Sequence, residues 1–375
     1  MGRLHSAAYR RVPHHYPDCA GVARLVAAAD EVDERAEEAT EQLGFARATT
    51  SWRDVLADPE VEAVSITAPN FLHREMALAA CDAGKHFWGE KPLGRSPRET
   101  AEIAAAAEQA GVRTIVGLNY RHAPAVQHAR RLIAGGALGE IAHVRIQFIA
   151  GYASNPRGAL SWRFLRELAG LGVLADLGSH AVDLGQFLLG PVEKVAAATS
   201  IVIPSRPRAA SGHGTHFSVV EESTDVAAVE NEDWAGALLE FASGVMGTLE
   251  LSRVAVGAEA RYAFEVSGSQ GAVGWDFERL NELRVYSSLA TGDRGDARVL
   301  MGPGHPEFDH FQPGAGIPMG YDDLKVIEAR LFLESVADGV QRPPGVREMD
   351  DAARVIEAMV HSAESGAWAQ VQRDR

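Results

Sequence analysis

The first third of the chain alternates short apolar runs with amphipathic, charge-rich stretches, and that alternation restricts the fold more than any other feature. It is the pattern of a parallel sheet whose strands are joined by crossover helices. Strands are expected over residues 22–29, 61–67, 85–88 and 113–118. Between them, helices are expected over 33–43, 71–84 and 98–110, the first of them stopped by Gly44. After a helix over 124–134 the texture changes, because strands now follow strands: 141–149, 195–203, 234–241, 245–254 and 260–266. Such runs favour an open, mostly antiparallel sheet. One helix, 172–189, interrupts them, late helices fall at 321–337 and 349–365, and 204–214 reads as a polar loop. The expected architecture is α/β in residues 1–121 followed by an α+β domain in 122–375.

Length agrees, since 375 residues suit about two domains. A formal net charge of −15 repels phosphate backbones and anionic lipid, so neither nucleic acid nor a membrane surface is an expected partner. No apolar stretch approaches the roughly 20 residues of a membrane helix. Cys19 and Cys81 are too few for a disulfide framework, and no signal-peptide pattern opens the chain. These features read as a cytoplasmic protein with a small-molecule partner.

A dinucleotide-binding Rossmann domain opens with a strand, then G-x-G-x-x-G, then a helix whose N-terminus faces a pyrophosphate. Here Met1-Gly2-Arg3-Leu4-His5 runs at once into a helix-like segment. Gly2 therefore reads as the last glycine of that fingerprint, with the first, central strand and two glycines missing; alternatively it is an arbitrary second residue. Asp30 ends the second expected strand, where a carboxylate accepts both adenine ribose hydroxyls and repels a 2′-phosphate, favouring NAD over NADP. A helix-capping role explains the same residue equally well.

Glu90-Lys91-Pro92 follows an apolar strand, and a Lys at a strand's C-terminal end in an open α/β sheet lies where ligands bind. The competing reading is a Lys paired to its neighbouring Glu. In the segment 172–189, Asp176, His180 and Asp183 form one polar stripe at 100° per residue. An imidazole there suits the proton loss that accompanies hydride departure from a secondary alcohol. The same pair also reads as a cap and a satisfied core histidine. No metal site is expected, because His14-His15 lacks spaced partners and no Cys lies near a His run. Tyr120-Arg121 and Ser161-Trp162-Arg163-Phe164 suit either a sugar cleft or a packed junction.

Taken together, Met1-Gly2-Arg3-Leu4-His5, Thr67-Ala68-Pro69-Asn70 with His73, Glu90-Lys91-Pro92, Asn119-Tyr120-Arg121 and the D-x-x-x-H of Asp176 and His180 resemble the Gfo/Idh/MocA oxidoreductase family. The closer likeness is to its branch of levoglucosan, pyranose and cyclitol dehydrogenases. It is carried by residues 160–164, 203–207 and 320–329. The resemblance implies a catalytic trio of Lys91, Asp176 and His180. It implies cofactor contacts from Gly2, Asp30, Thr67, Asn70, His73, Glu90 and Lys91, and substrate contacts from Arg121, Trp162 and Tyr321. It further implies a homodimer or homotetramer assembled through the open sheet. The expected activity is NAD-dependent oxidation of a ring alcohol of a sugar or cyclitol. The alternatives are a redox-assisted elimination or glycosidic cleavage, and a dinucleotide-binding sensor or inactive partner subunit.

Overall fold

The computed structural model describes residues 1–209, 217–220, 225–288 and 294–373. The chain forms two compact units: Met1–Gly94 with Arg98–His122 and Met319–Asp350, and Arg95–Pro97 with Ala123–Pro318 and Asp351–Arg375. A division into 1–121 and 122–375 therefore differs from the structure at Met319–Asp350, which returns to the first unit. The physical reason is a long helix, Tyr321–Asp338, which packs against the opening helix Gly2–His15 and the strand Thr114–Val116. Gln341 closes that strand's free edge like another strand. Its side chain accepts from the Thr114 N–H at 3.0 Å and donates to the Thr114 carbonyl at 2.6 Å.

In the first unit, parallel pairing occurs in two separate pieces. Ala27–Ala29 pairs with Arg47–Thr49, and Ala63–Ile66, His86–Gly89 and Thr114–Val116 form a three-stranded piece in that order. The central strand buries Phe87 and Trp88 completely, as its unbroken apolar run requires. The expected strand 22–29 shrinks to three residues, and Val22 is exposed. Helices Asp33–Glu41, Asn70–Asp82 and Pro97–Ala110 fall where the periodicity puts them.

The second unit is built on a nine-stranded sheet. Its spatial order is Arg294–Leu300, Glu282–Ser288, Gly271–Asp276, Ala260–Gly268, Ile141–Ala150, Met246–Ser252, Trp234–Phe241, Val192–Ser200 and Ala369–Gln370. Every neighbouring pair is antiparallel except Met246–Ser252 with Ile141–Ala150. The expected continuous helix 172–189 is broken at Leu177 into Val173–Asp176 and Gly178–Leu189. Gly185 lets the longer piece lie against the sheet, since a Cβ there would stand 2.8 Å from Ile146 Cδ1. Within the expected loop 204–214, Ser205–Pro207 pairs with Val226–Ala228, and residues 210–216 lie outside the described set. Among the described residues no helix is long and apolar enough to cross a membrane.

Candidate active site

In the first unit the chemistry gathers where the strand His86–Gly89 ends. Glu90 is buried, and its Oε1 accepts from Lys325 Nζ at 2.7 Å and from His5 Nε2 at 2.9 Å. Lys325, fully buried, also meets Glu328 Oε2 at 2.9 Å. The His5 ring stacks on Trp88 at 3.5 Å, and the Lys325 ammonium lies 5.5 Å from the same ring's centroid. Burial alone would neutralise Glu90; the Lys325 charge and the His5 hydrogen bond outweigh it and hold the carboxyl well below the usual carboxylate range. Burial lowers His5 to about 4, so its ring is neutral and Nε2 carries the proton it donates. Gly117 makes the room, because a Cβ there would fall 2.7 Å from Glu90 Oε2. Glu90 thus pairs with Lys325 and His5.

Glu328 is a carboxyl of the opposite kind. Burial pushes it up to about 8 despite the Lys325 ammonium beside it. Between the ordinary carboxylate value and about 8 the folded chain holds a proton there that the unfolded chain has lost, so this group's contribution to stability falls as pH rises through that window. Glu328→Gln removes the proton exchange. The fall in melting temperature between pH 5 and pH 8 is expected to be smaller in the variant than in the parent chain, measured by thermal melts across that range; equal slopes would contradict it.

The remaining first-unit candidates are placed as follows. Lys91 is half-buried and joined to Pro92 by a cis peptide bond. His73 is buried with Nδ1 2.8 Å from the Pro92 carbonyl and Nε2 2.7 Å from the Ala68 carbonyl, so the ring ties together the two loops that follow adjacent strands. Burial lowers its pKa. Both ring nitrogens are thus directed at backbone, whereas the Glu90 carboxylate is directed at the Lys325 and His5 side chains; each supports the loop at Lys91. Asn70 opens the helix Asn70–Asp82. Arg121 is buried in the turn Asn119–His122, and its charge acts on Glu328. Tyr321 opens the helix Tyr321–Asp338, its phenol pushed up to about 12 by burial, and its ring centroid lies 5.9 Å from that of Tyr120.

A dinucleotide fits the residues at the front of this unit. The helix Gly2–His15 has no acidic side chain in its first turn and no side-chain cap, leaving its first amides to an anion. Gly2 keeps that end narrow: a Cβ there would already touch Thr67 Oγ1 at 3.4 Å. Asp30 follows the strand Ala27–Ala29; its Oδ1 accepts from the Val32 N–H at 3.0 Å and lies 3.8 Å from Arg35. It therefore shapes the turn before the helix Asp33–Glu41 without capping it, since Val32 is the N-cap and no side chain bonds there, and its carboxylate is partly exposed at the strand's end.

In the second unit, Glu232 fixes the start of the broken helix. Its Oε1 accepts from the N–H groups of Gly172 at 2.8 Å and Leu174 at 3.0 Å. Only glycine fits at 172, where a Cβ would lie 2.1 Å from the Glu232 carbonyl oxygen. Asp176 ends the first short piece, and Tyr152 donates its hydroxyl to Asp176 Oδ2 at 2.5 Å. His180 lies one turn on and is buried; its carbonyl accepts from the Tyr262 hydroxyl at 2.6 Å, and Tyr262 stacks on Phe148. Trp162 sits in the turn Trp162–Phe164 with the Arg163 guanidinium over its ring at 4.4 Å.

The fold thus gathers Glu90, Lys91, Arg121 and Tyr321 in one unit, and Trp162, Asp176 and His180 in the other. Sequence reasoning missed Lys325, Glu328, His5, Tyr152 and Glu232. The spacing of Lys325 and Glu328, three apart on one helix, was a usable signal; the other partners lie too far apart in sequence. Among the described residues no three His, Cys, Asp or Glu side chains stand where they could hold a metal ion.

Comparison with known proteins matches two stretches of the chain to family models. Residues 1–118 match the oxidoreductase family with an NAD-binding Rossmann fold, and residues 126–274 match the GFO/IDH/MocA C-terminal domain. Levoglucosan dehydrogenase of Pseudarthrobacter phenanthrenivorans is 33% identical over 372 residues, 99% of this chain and 95% of that protein. The scyllo-inositol 2-dehydrogenase (NAD+) of Bacillus subtilis is 30% identical over 67% of this chain and 66% of its own length. A solved levoglucosan dehydrogenase in complex with NADH and levoglucosan superposes with a TM-score of 0.93 at 32% identity, covering 100% of this chain and 97% of that one. An inositol dehydrogenase homologue of Azotobacter vinelandii complexed with NAD+ gives a TM-score of 0.77 at 26% identity over 93% and 90% of the two chains. With both halves matched and one relative aligned along nearly its whole length, the chain belongs to the Gfo/Idh/MocA family of NAD-binding oxidoreductases.

Proposed function

We propose that this protein oxidises a ring secondary alcohol of a sugar or cyclitol to the ketone, with NAD as the redox partner. The full-length likeness to enzymes named for levoglucosan and inositol supports the substrate class. The observation that carries the chemistry is the Asp176 carboxylate, held by Tyr152 one turn before the buried His180. NAD bound in the first unit would supply the hydride acceptor for the carbinol carbon. His180 takes the hydroxyl proton as the C–O bond becomes a carbonyl. Asp176 orients the reacting sugar or the imidazole, and the Lys91 ammonium stabilises the oxygen as it loses its proton. Gly2 and Thr67 would hold the pyrophosphate, and Asp30 would meet the adenine ribose and disfavour a 2′-phosphate. Arg121, Trp162 and Tyr321 are the proposed substrate contacts.

The reading includes a homodimer or homotetramer. The sheet presents a concave face lined by Arg145, Arg261 and Arg284 among Glu250, Glu265 and Glu282, charges of both signs that a second copy can match. Light scattering reads the subunit number.

The test of function is a panel of inositols, levoglucosan and simple glucosides with NAD or NADP, followed at 340 nm. Stoichiometric NADH with at least one of these polyols, and a preference for NAD, is the expected result. Product without net NADH would mean that the cofactor is recycled in an elimination or cleavage. Ligand-induced stabilisation without turnover across the panel would point to a sensor or inactive subunit.

A further inference from the structure

Three groups on the broken helix can accept a proton, Asp176, His180 and Asp183, and the first of them is held by a side chain from another element. Asp176 Oδ2 receives the Tyr152 hydroxyl at 2.5 Å. Burial and the Asp176 charge hold the phenol well above its ordinary value, so the proton stays on Tyr152 and Asp176 is the acceptor. Tyr152 is itself tightly placed. Its neighbour Ala153 donates its N–H to the Arg253 carbonyl at 2.9 Å, and the Ala153 carbonyl accepts from Arg206. The preceding Gly151 runs so close to Ala255 that a Cβ would fall 2.8 Å from the Ala255 oxygen. The Arg206 and Arg253 guanidiniums lie 4.2 and 4.7 Å from the Phe164 ring centroid, beside which Tyr152 packs.

We propose that Tyr152 is a positioning residue: by donating to Asp176 it fixes that carboxylate and takes up part of its charge, leaving it a poor base, so that the alcohol proton goes to His180. This rests on the reading of Asp176 and His180 as site residues. A carboxylate that accepts a short O–H bond is a poor base, and its orientation is settled before substrate arrives. Besides Asp176, the cations Arg163, Arg253 and Arg206 act on Tyr152.

The experiment compares Tyr152→Phe with the parent chain. Loss of a hydrogen bond to a charged group predicts a fall in kcat/KM of about ten- to a hundredfold. Asp176 then carries its charge undiminished and favours the imidazolium, so the acid limb of the pH profile is expected to move to higher pH. The readout without turnover is the His180 imidazole titration by NMR in the cofactor-free protein, the signal being identified by its loss in His180→Gln. Its midpoint is expected to rise in Tyr152→Phe. If Tyr152→Phe does not fold, Asp176→Asn carries the same test with the opposite sign, because removing the anion lowers the midpoint. An unmoved midpoint in the folded variant, with unchanged kcat/KM, overturns the role given to Tyr152. Full turnover in both His180→Gln and Asp176→Asn would instead overturn the site reading beneath it.

Discussion

Replacing Lys325 by methionine is expected to lower stability by about 3–5 kcal/mol, the cost of leaving one partner of a buried ion pair behind. Lys325 is fully buried between Glu90 and Glu328. Methionine fills much of the volume but supplies no charge. Glu328 tolerates the change, since burial already raises it to about 8 and at neutral pH it holds its proton. Glu90 does not, because without the ammonium the donor that remains among the described residues is a neutral His5. At about 2–4 °C per kcal/mol for a unit of this size, the first unit should melt about 10 °C earlier. The sign with pH is diagnostic. In the parent chain Glu90 is held below its usual range, so its contribution is present above the unfolded carboxylate value and lost as pH falls. In Lys325→Met burial acts on Glu90 against the His5 hydrogen bond alone, and the deficit should grow as pH rises from 4.5 to 7. The double variant Glu90→Gln/Lys325→Met removes both charges and should recover much of the loss. Thermal melts of the three proteins check this; an unchanged melting temperature in the single variant, or a double variant as unstable as the single, would refute the ion-pair account.

That ion pair also marks the limit of what the sequence discloses. Features set by local periodicity were legible: the helix Pro124–Ala134 and the strand Trp234–Phe241 fall on their expected bounds. So was the change of texture that separates parallel from antiparallel pairing. The strands Glu282–Ser288 and Arg294–Leu300 were overlooked because charges interrupt them, although Leu283 and Val285 alternate as a half-buried strand should. The break at Leu177 was hidden for a different reason. Glu232, far along the chain, takes the N–H groups at the helix start, and tertiary bonding of that kind overrides a continuous helical pattern. Candidate residues were found where a motif is short and contiguous, as in Glu90-Lys91 and Asp176 with His180. Their supports were not, because Lys325 reaches Glu90 across 235 positions and Tyr152 reaches Asp176 across 24. The return of Met319–Asp350 to the first unit has the same origin: a helix that buries Lys325 and Glu328 must be where Glu90 is.

Removing the imidazole in His180→Ala is expected to reduce kcat/KM by about 10²–10⁴-fold, the range of a positioned general base. The carbonyl of residue 180 still accepts from Tyr262, and the helix Gly178–Leu189 keeps Leu184 and Leu188 in the core, so the fold should survive. Two further readouts separate a lost base from a damaged site. Affinity for NADH, followed by nicotinamide fluorescence, should be unchanged, and the acid limb of the pH profile should flatten because the group that titrates is gone. Added imidazole, small enough for the space left, should restore part of the rate with a dependence on its own neutral form. Lys91→Ala should lose at least as much, for another reason. On the proposed mechanism the alcohol oxygen then loses its proton without the Lys91 ammonium, and no exogenous imidazole can supply that charge. Rescue by imidazole in His180→Ala but not in Lys91→Ala assigns proton transfer to the first residue and charge stabilisation to the second. Equal rescue of both, or rates close to the parent chain in either, removes that residue from the chemistry.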